Sequence, residues 1–410
     1  MRPRRMGLFV LLFAALAAVT AGCQTGDSAI PADGSTVSGG SEAPLPSQGA
    51  SADPSATASP GPSGEAGASA SPSGTPEPTP SPSPTPEVET VDYRGPVEHL
   101  FFHPLVAFPE LAFDGDSISK GFDDWFVTVP EFKAMLNALY ERDYVLIDIH
   151  KLYVPGKDAN GLPTAAEASF SFPKGKRPFV LSVDDINYYD YMRQNGNAWK
   201  LVPDADGRIT AWAKTPDGEA KTSRDWELVP ILDDFVRDHP DFSWQGAKGV
   251  LALTGYEGVL GYRTNEPDSP TYAEDKQAAE DVIRRLKESG WTFASHSWGH
   301  VDVNKVSLDR LQRDATKWKN EVEPLVGPTD VFVYPYGSSV KADDPKIAYL
   351  RSQGFAVFCS VGPAPYKAFK KSIFMMDRRH IDGMALRTQR DRLKPLFGDE
   401  PALDPARDAH

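Results

Sequence analysis

The sequence predicts an α/β fold with parallel strands, closed into a barrel or left as an open sheet, and three observations carry that expectation. Short apolar runs alternate with longer segments of helical period. Glycines stand where the intervening helices should stop. The residues able to do chemistry fall at the C-terminal ends of apolar runs, the face on which such folds assemble their sites.

In chain order, the apolar runs at 179–183, 249–254, 291–295, 330–334 and 355–360 read as buried parallel strands. The periodic segments at 130–142, 230–238, 273–289, 308–322 and 345–353 read as amphipathic helices, with Gly290 and Gly354 at C-cap positions. Two stretches break this rhythm. Residues 187–228 carry Tyr188, Tyr189, Tyr191, Trp199, Trp212 and Trp226, with turn signals at Asp206-Gly207 and Asp217-Gly218, and read as an inserted β-rich region. Residues 255–271 are irregular and rich in Gly, Tyr and Pro. Long insertions beside a chemical motif act as lids or binding walls, or else cover a sheet edge, and aromatic rings suit either use.

The flanks bound the setting. Arg2, Arg4 and Arg5 precede an apolar stretch at 8–19 and then Thr20-Ala21-Gly22-Cys23, the pattern of an export signal over 1–22 with lipidation at Cys23. The stretch is too short for a convincing membrane span. Residues 23–93 are dominated by Ser, Pro, Gly, Ala and Thr and lack the apolar content to offset ordering, so they read as a tether. A single large domain is expected over 94–400. Cys359 is the only cysteine left beyond Cys23 and reads as a buried thiol. With 57 acidic against 43 basic residues the net charge is -14, which argues against nucleic acid or an anionic polymer held by bulk electrostatics; a neutral or cationic glycan is easier to accommodate. The expected location is exported, lipid-anchored on the outer face of a bacterial cell membrane.

Two motifs carry the chemistry. The apolar run Val180-Leu181-Ser182-Val183 ends in the adjacent carboxylates of Asp184 and Asp185, and His296 and His300 stand four apart in Ala294-Ser295-His296-Ser297-Trp298-Gly299-His300. Where a strand frays into a loop, two consecutive acids can both reach one cleft, and histidines four apart share one face of a helical turn. Together they supply oxygen and nitrogen ligands for a divalent ion, a position open to water and one carboxylate left over as a base. The pattern points to a metal-dependent hydrolase.

The order Leu-Ser-Val-Asp-Asp, then His-Ser-x-x-His, then Val331-Phe332-Val333-Tyr334-Pro335-Tyr336-Gly337 resembles the polysaccharide deacetylases, the NodB-homology or carbohydrate esterase family four proteins. The flanks extend the likeness: Val97 through His103-Pro104 is similar to the family's opening strand, and Val129-Pro130-Glu131-Phe132 through Tyr144-Val145-Leu146-Ile147 to its first helix and second strand. The resemblance implies a distorted (β/α) barrel. It implies Asp185, His296 and His300 as metal ligands, Asp184 as general base and the Tyr336 backbone N–H as oxyanion donor, with Ser297 bracing the histidine loop. Zinc is the default ion for that set, though cobalt, nickel or iron would fit.

The sequence departs from the family twice. The Arg that usually opens the third motif and orients the base is Val333 here, leaving Arg378 or Arg379 to supply the charge. The late Leu-x-x-His-Asp motif, which commonly provides the general acid, is missing. His103 is the expected acid, at a strand end that points into the cleft; His380 is the alternative, in a charged segment expected to face water. Three functions remain: removal of N-acetyl groups from an extracellular or cell-wall polysaccharide, O-acetyl ester cleavage on an acetylated polysaccharide, and glycan binding without catalysis.

Overall fold

The computed structural model describes residues 88–408. The expected signal 1–22, Cys23 and most of the tether lie outside the described residues. Strand Thr90–Tyr93 pairs with Phe170–Pro173, and Arg407 is buried against Glu131, so folded contacts extend past both expected boundaries, 94 and 400.

The central sheet has nine strands among the described residues; Tyr366–Lys370 pairs antiparallel with the last of the other eight, which are β1 (Glu98–Phe102), β2 (Tyr144–Leu146), β3 (Arg177–Asp184), β4 (Val250–Leu253), β5 (Thr292–Ser295), β6 (Val331–Val333), β7 (Val357–Val361) and β8 (Ile373–His380). The pairings among those eight are parallel, and β3-β4-β5-β6-β7-β8-β1 closes on β3 as a seven-stranded barrel. β3 serves two neighbours along one edge. Its first half pairs with β2, from Tyr144↔Arg177 to Leu146↔Phe179, and its second half pairs with β4, from Val250↔Ser182 to Ala252↔Asp184. This shared edge distorts the barrel and gives the (β/α) architecture that the resemblance implied.

Helices surround it: α1 (Ser119–Trp125), α2 (Val129–Glu141), α3 (Leu228–Asp238), α4 (Tyr272–Glu288), α5 (Leu308–Glu321), α6 (Pro345–Ser352) and α7 (Gly383–Thr388). Their starts are written locally. Thr128 and Glu131 form a reciprocal capping box for α2, and the Ser307 and Asp344 side chains accept backbone N–H groups at the heads of α5 and α6. After α4 and α6 the chain reverses through Gly290 (φ 100°) and Gly354 (φ 104°), a backbone region that favours glycine. The inserted region holds a three-stranded antiparallel sheet of Lys200–Pro203, Ile209–Lys214 and Ala220–Ser223, with Gly207 and Gly218 in its turns.

Strand alternation sorts side chains into two layers. Val180, Val250, Val331, Val357, Phe374 and Met376 form one buried cluster, while the alternate residues Phe179, Leu181, Leu251, Phe332 and Phe358 pack with the helices. On β8 the first layer continues as Arg378 and His380. His380, expected in a charged segment, instead ends this strand; the four consecutive polar residues Asp377-Arg378-Arg379-His380 hide the period of a barrel strand.

Candidate active site

β3 delivers Asp184 on the inner face and then breaks: Asp185 adopts φ 57°, which turns its carboxylate into the same cleft. Asp184 is only 3% and Asp185 6% exposed, so both charges need partners. After β5 the chain runs through His296, Ser297 (φ 58°) and His300 (φ 50°) as a loop, not the helical turn expected from the spacing. The left-handed residues cost roughly 1–3 kcal/mol each. That cost is offset by bracing: the Ser297 hydroxyl accepts the Val301 N–H at 3.0 Å, and the Asp314 carboxylate on α5 accepts the N–H groups of Trp298 (2.8 Å) and Gly299 (2.7 Å).

The loop brings both imidazoles to Asp185. His300 Nε2 lies 3.6 Å and His296 Nε2 4.0 Å from its oxygens, and one ligand atom from each of Asp185, His296 and His300 falls within 4.8 Å of the others. The donor chemistry fits a divalent ion. His296 Nδ1 donates to the Val333 carbonyl at 2.9 Å, which leaves the Nε2 lone pair facing the cluster. The Tyr189 hydroxyl donates to Asp185 Oδ1 at 2.7 Å and sits 2.6 Å from Thr254 Oγ1. Burial raises the Asp185 pKa, yet His300, His296 and His103 outweigh it and the net shift is downward.

Asp184 has a different environment. Arg378 grips it with two bonds, Nη1 to Oδ1 at 2.6 Å and Nη2 to Oδ2 at 2.9 Å, while the guanidinium lies over the Phe101 ring at 4.1 Å. Burial raises its pKa, and Arg378 followed by His296 overrides that, holding the carboxyl well below the usual range. The charge on Asp184 is thus met by a side chain from β8, while the position on β6 where the family's Arg is expected holds Val333. Arg379 is excluded from this role, because alternation turns it outward to Glu98, with Nε 2.8 Å from Oε2.

His103 follows β1 and His380 ends β8, and the two meet. His103 Nε2 lies 3.9 Å from Asp185 Oδ2, and its Nδ1 is 3.1 Å from the Trp125 carbonyl and 3.3 Å from His380 Nε2. His380 Nδ1 lies 2.9 Å from Asp382 Oδ2, and its ring stacks on Phe101 at 4.4 Å. The expectation that His380 faces water is corrected: it closes a barrel strand and lines the cleft. Burial and the adjacent His380 draw the His103 pKa down to about 4, against the pull of Asp185 and Asp184.

These residues line a cleft of about 690 Å³. Its walls include Trp125 (46% exposed), Tyr191 (45%) and Tyr336 (70%), rings available to a ligand. Tyr336 (φ 59°) packs against His300 with ring centroids 4.4 Å apart. Sequence reasoning missed the bracing by Tyr189, Thr254 and Asp314. An aromatic-rich insertion after the carboxylate pair was the signal for Tyr189; nothing in the sequence links Asp314 to the histidine loop 15 residues before it.

Residues 264–358 match the family model described as polysaccharide deacetylase, the family to which the motifs point. The matched segment includes both loop histidines and Tyr336. No curated protein matches the sequence. Among solved structures, a presumed polysaccharide deacetylase from Bacillus anthracis aligns with TM-score 0.40 and 14% identity, over 70% of this chain and 65% of that one. The Streptococcus pyogenes deacetylase PplD in complex with acetate aligns with TM-score 0.41 and 13% identity, over 75% of this chain and 99% of that one. The chitin deacetylase of Colletotrichum lindemuthianum aligns with TM-score 0.24 and 12% identity, over 42% and 75%.

Proposed function

We propose that the protein is a metal-dependent hydrolase that removes N-acetyl groups from an extracellular or cell-wall polysaccharide. The observation that supports it most is the convergence of the Asp185, His296 and His300 donors beside an arginine-clamped Asp184, in a cleft with aromatic walls. Bound to those donors, a divalent ion, zinc by default, would polarise the acetyl carbonyl and acidify a water.

The chain's own groups divide the remaining work. Asp184, fixed by Arg378 and kept anionic, takes the water proton as oxygen adds to the acetyl carbon. The Tyr336 N–H faces the oxyanion in this scheme. His103, oriented by the Trp125 carbonyl and His380, is the acid of this scheme; with Nδ1–H held by that carbonyl it donates only as the imidazolium, so it must first take up on Nε2 the proton that Asp184 drew from the water, and passes it to the nitrogen as the C–N bond breaks, leaving acetate and a free amine. Lipidation of Cys23 would place this chemistry at a membrane's outer face, with the tether giving reach into an immobile polymer.

Acetate release from an N-acetylglucosamine oligosaccharide, compared with acetylated xylan, tests the reaction together with the metal content of the purified protein. Amide cleavage that tracks metal content is expected; preference for the xylan would make it an O-acetyl esterase, and a metal-free protein that binds glycan without cleavage would overturn the enzyme reading. Membrane fractionation of Cys23→Ser tests the anchor: release to the medium is expected, and unchanged fractionation would refute it.

A further inference from the structure

Helix α1 lies outside the motifs and is gripped from the far end of the chain. Arg387 on α7 bonds the Asp123 carboxylate at 2.7 Å, the Asp123 carbonyl at 3.0 Å and Asp124 at 2.7 Å. Arg407, with its side chain 3% exposed, adds the Asp123 carbonyl at 2.9 Å, the Asp123 carboxylate at 3.1 Å and the Phe126 carbonyl at 2.8 Å, and also bonds the Glu131 carboxylate and lies over the Phe113 ring. Gly383, the first residue of α7, lies so close that a Cβ there would sit 1.9 Å from the Asp123 carbonyl oxygen. Two cations and a close backbone contact therefore converge on one turn of a seven-residue helix.

That turn presents Trp125. Its ring is 46% exposed, lines the cleft and stacks nearly parallel to His380, 5.8 Å away and tilted 10°. Phe122 in the same helix stacks on Phe126 at 4.5 Å and meets Tyr191 of the insertion edge-on at 6.2 Å, so helix and insertion form one aromatic wall. Among the described residues lining the cleft, Arg378 is the only Lys or Arg, and Asp184 occupies it. A large exposed indole beside a wall whose one guanidinium is taken suits the C–H face of an uncharged sugar ring and supplies no Lys or Arg to a ring bearing carboxylate or phosphate.

We propose that α1 is a glycan-stacking platform whose Trp125 binds an uncharged pyranose ring beside the reacting acetamide, and that Arg387 and Arg407 of the C-terminal segment are positioning residues for it. This rests on the deacetylase reading. A tail segment more than 250 residues away in sequence thereby belongs to the substrate site.

Steady-state kinetics of the full chain on a neutral N-acetylglucosamine oligosaccharide test it. Trp125→Ala should raise KM by about tenfold or more, with a smaller change in kcat, and Trp125→Phe should fall between it and wild type. Arg387→Ala should raise KM by roughly threefold at an unchanged melting temperature, with Arg387→Lys recovering part of the loss. An oligosaccharide carrying a carboxylate on each ring should not compete at matched concentration. An active wild type whose KM is unmoved by Trp125→Ala overturns the platform, and a KM unmoved by Arg387→Ala overturns the clamp. Equal competition by the charged chain overturns the selectivity. A metal-loaded wild type that neither binds nor cleaves any N-acetyl glycan overturns the deacetylase reading itself.

Discussion

The two halves of the cleft are built on different kinds of sequence information. The β3 and β5 half places Asp184, Asp185, His296 and His300 from two contiguous motifs, each at the end of its own strand. The β1 and β8 half places His103, Arg378 and His380 from strands that become neighbours only when the barrel closes, with Arg379 opposite Leu100 and His380 opposite Phe101. Reactive groups held by adjacent residues can be read locally. Groups that orient and charge them can come from any strand whose inner face reaches the same layer: Asp184 finds its guanidinium at Arg378 on β8, with Val333 on β6.

The sharpest way to break this comparison is to remove a donor from the first half. Asp185→Ala or His300→Ala should abolish activity and metal occupancy together, and elemental analysis showing full occupancy in either variant would refute the ligand assignment. Asp184→Asn separates the neighbouring acid. It should keep its metal while turnover falls by roughly a hundredfold or more, the usual worth of a general base. Loss of metal instead would exchange the roles of the two carboxylates.

Adjacent arginines then test the second half. Arg378→Ala leaves the Asp184 charge buried and unpaired, which should destabilise the fold by about 3–5 kcal/mol and reduce turnover. Arg379→Ala removes a pair with Glu98 in which each side chain is 13% exposed, and the Glu98 carboxyl left behind can take up a proton or reach water, so the variant should cost less, about 1–2 kcal/mol. Thermal denaturation of the two variants measures the difference, and similar losses would remove the case for Arg378 as the clamp.

Strand period explains why that distinction was available but unread. The core strands from 179 to 360 are apolar runs, and the structure places all five where the sequence does, within a few residues. β8 alternates too, Phe374 and Met376 inward, then Arg378 and His380 on the same face. Its last residues, Asp377-Arg378-Arg379-His380, have no apolar member to mark the face, and a barrel interior that turns polar at its top is indistinguishable in sequence from a solvated loop. The acid pair was half legible for the same reason: His103 ends an apolar run, His380 does not. The bracing by Asp314 was not legible, because it depends on tertiary packing alone, whereas that by Tyr189 was signalled only by the aromatic insertion that follows the carboxylate pair.

The proximity of His103 and His380 alters what their variants should do. His103→Ala is expected to lower N-acetyl turnover by roughly two to four orders of magnitude, and acetyl-ester cleavage by less, since an alkoxide leaves with weaker assistance. His380→Ala should lower amide turnover by about tenfold, and the double variant should be little worse than His103→Ala, because removing the orienting ring matters only while the acid is present. Fully multiplicative losses would show two independent roles.

The smallest expected effect on turnover lies where the two halves are joined, at Glu227. Its carboxylate is fully buried at the head of α3 and accepts the N–H of Leu228 at 2.6 Å and of Leu105, just beyond β1, at 3.2 Å. Burial pushes its pKa up to about 7 against those hydrogen bonds, from an ordinary value of 4.5. Between those two values the unfolded chain has shed the proton and the folded chain has kept it, so the unfolded state binds fewer protons and stability falls as pH rises. The loss levels off above the folded value and amounts to about 3 kcal/mol at most. Glu227→Gln has no proton to lose and can still accept both N–H groups, so its stability should vary less between pH 5 and 8 and exceed that of the parent at pH 8. Turnover should change by less than about twofold, because the residue touches none of the reacting groups. Chemical denaturation of both proteins across that range would decide it: parallel stability curves would mean that Glu227 is already ionised in the folded chain and that the join between the halves carries a charge held by hydrogen bonds alone.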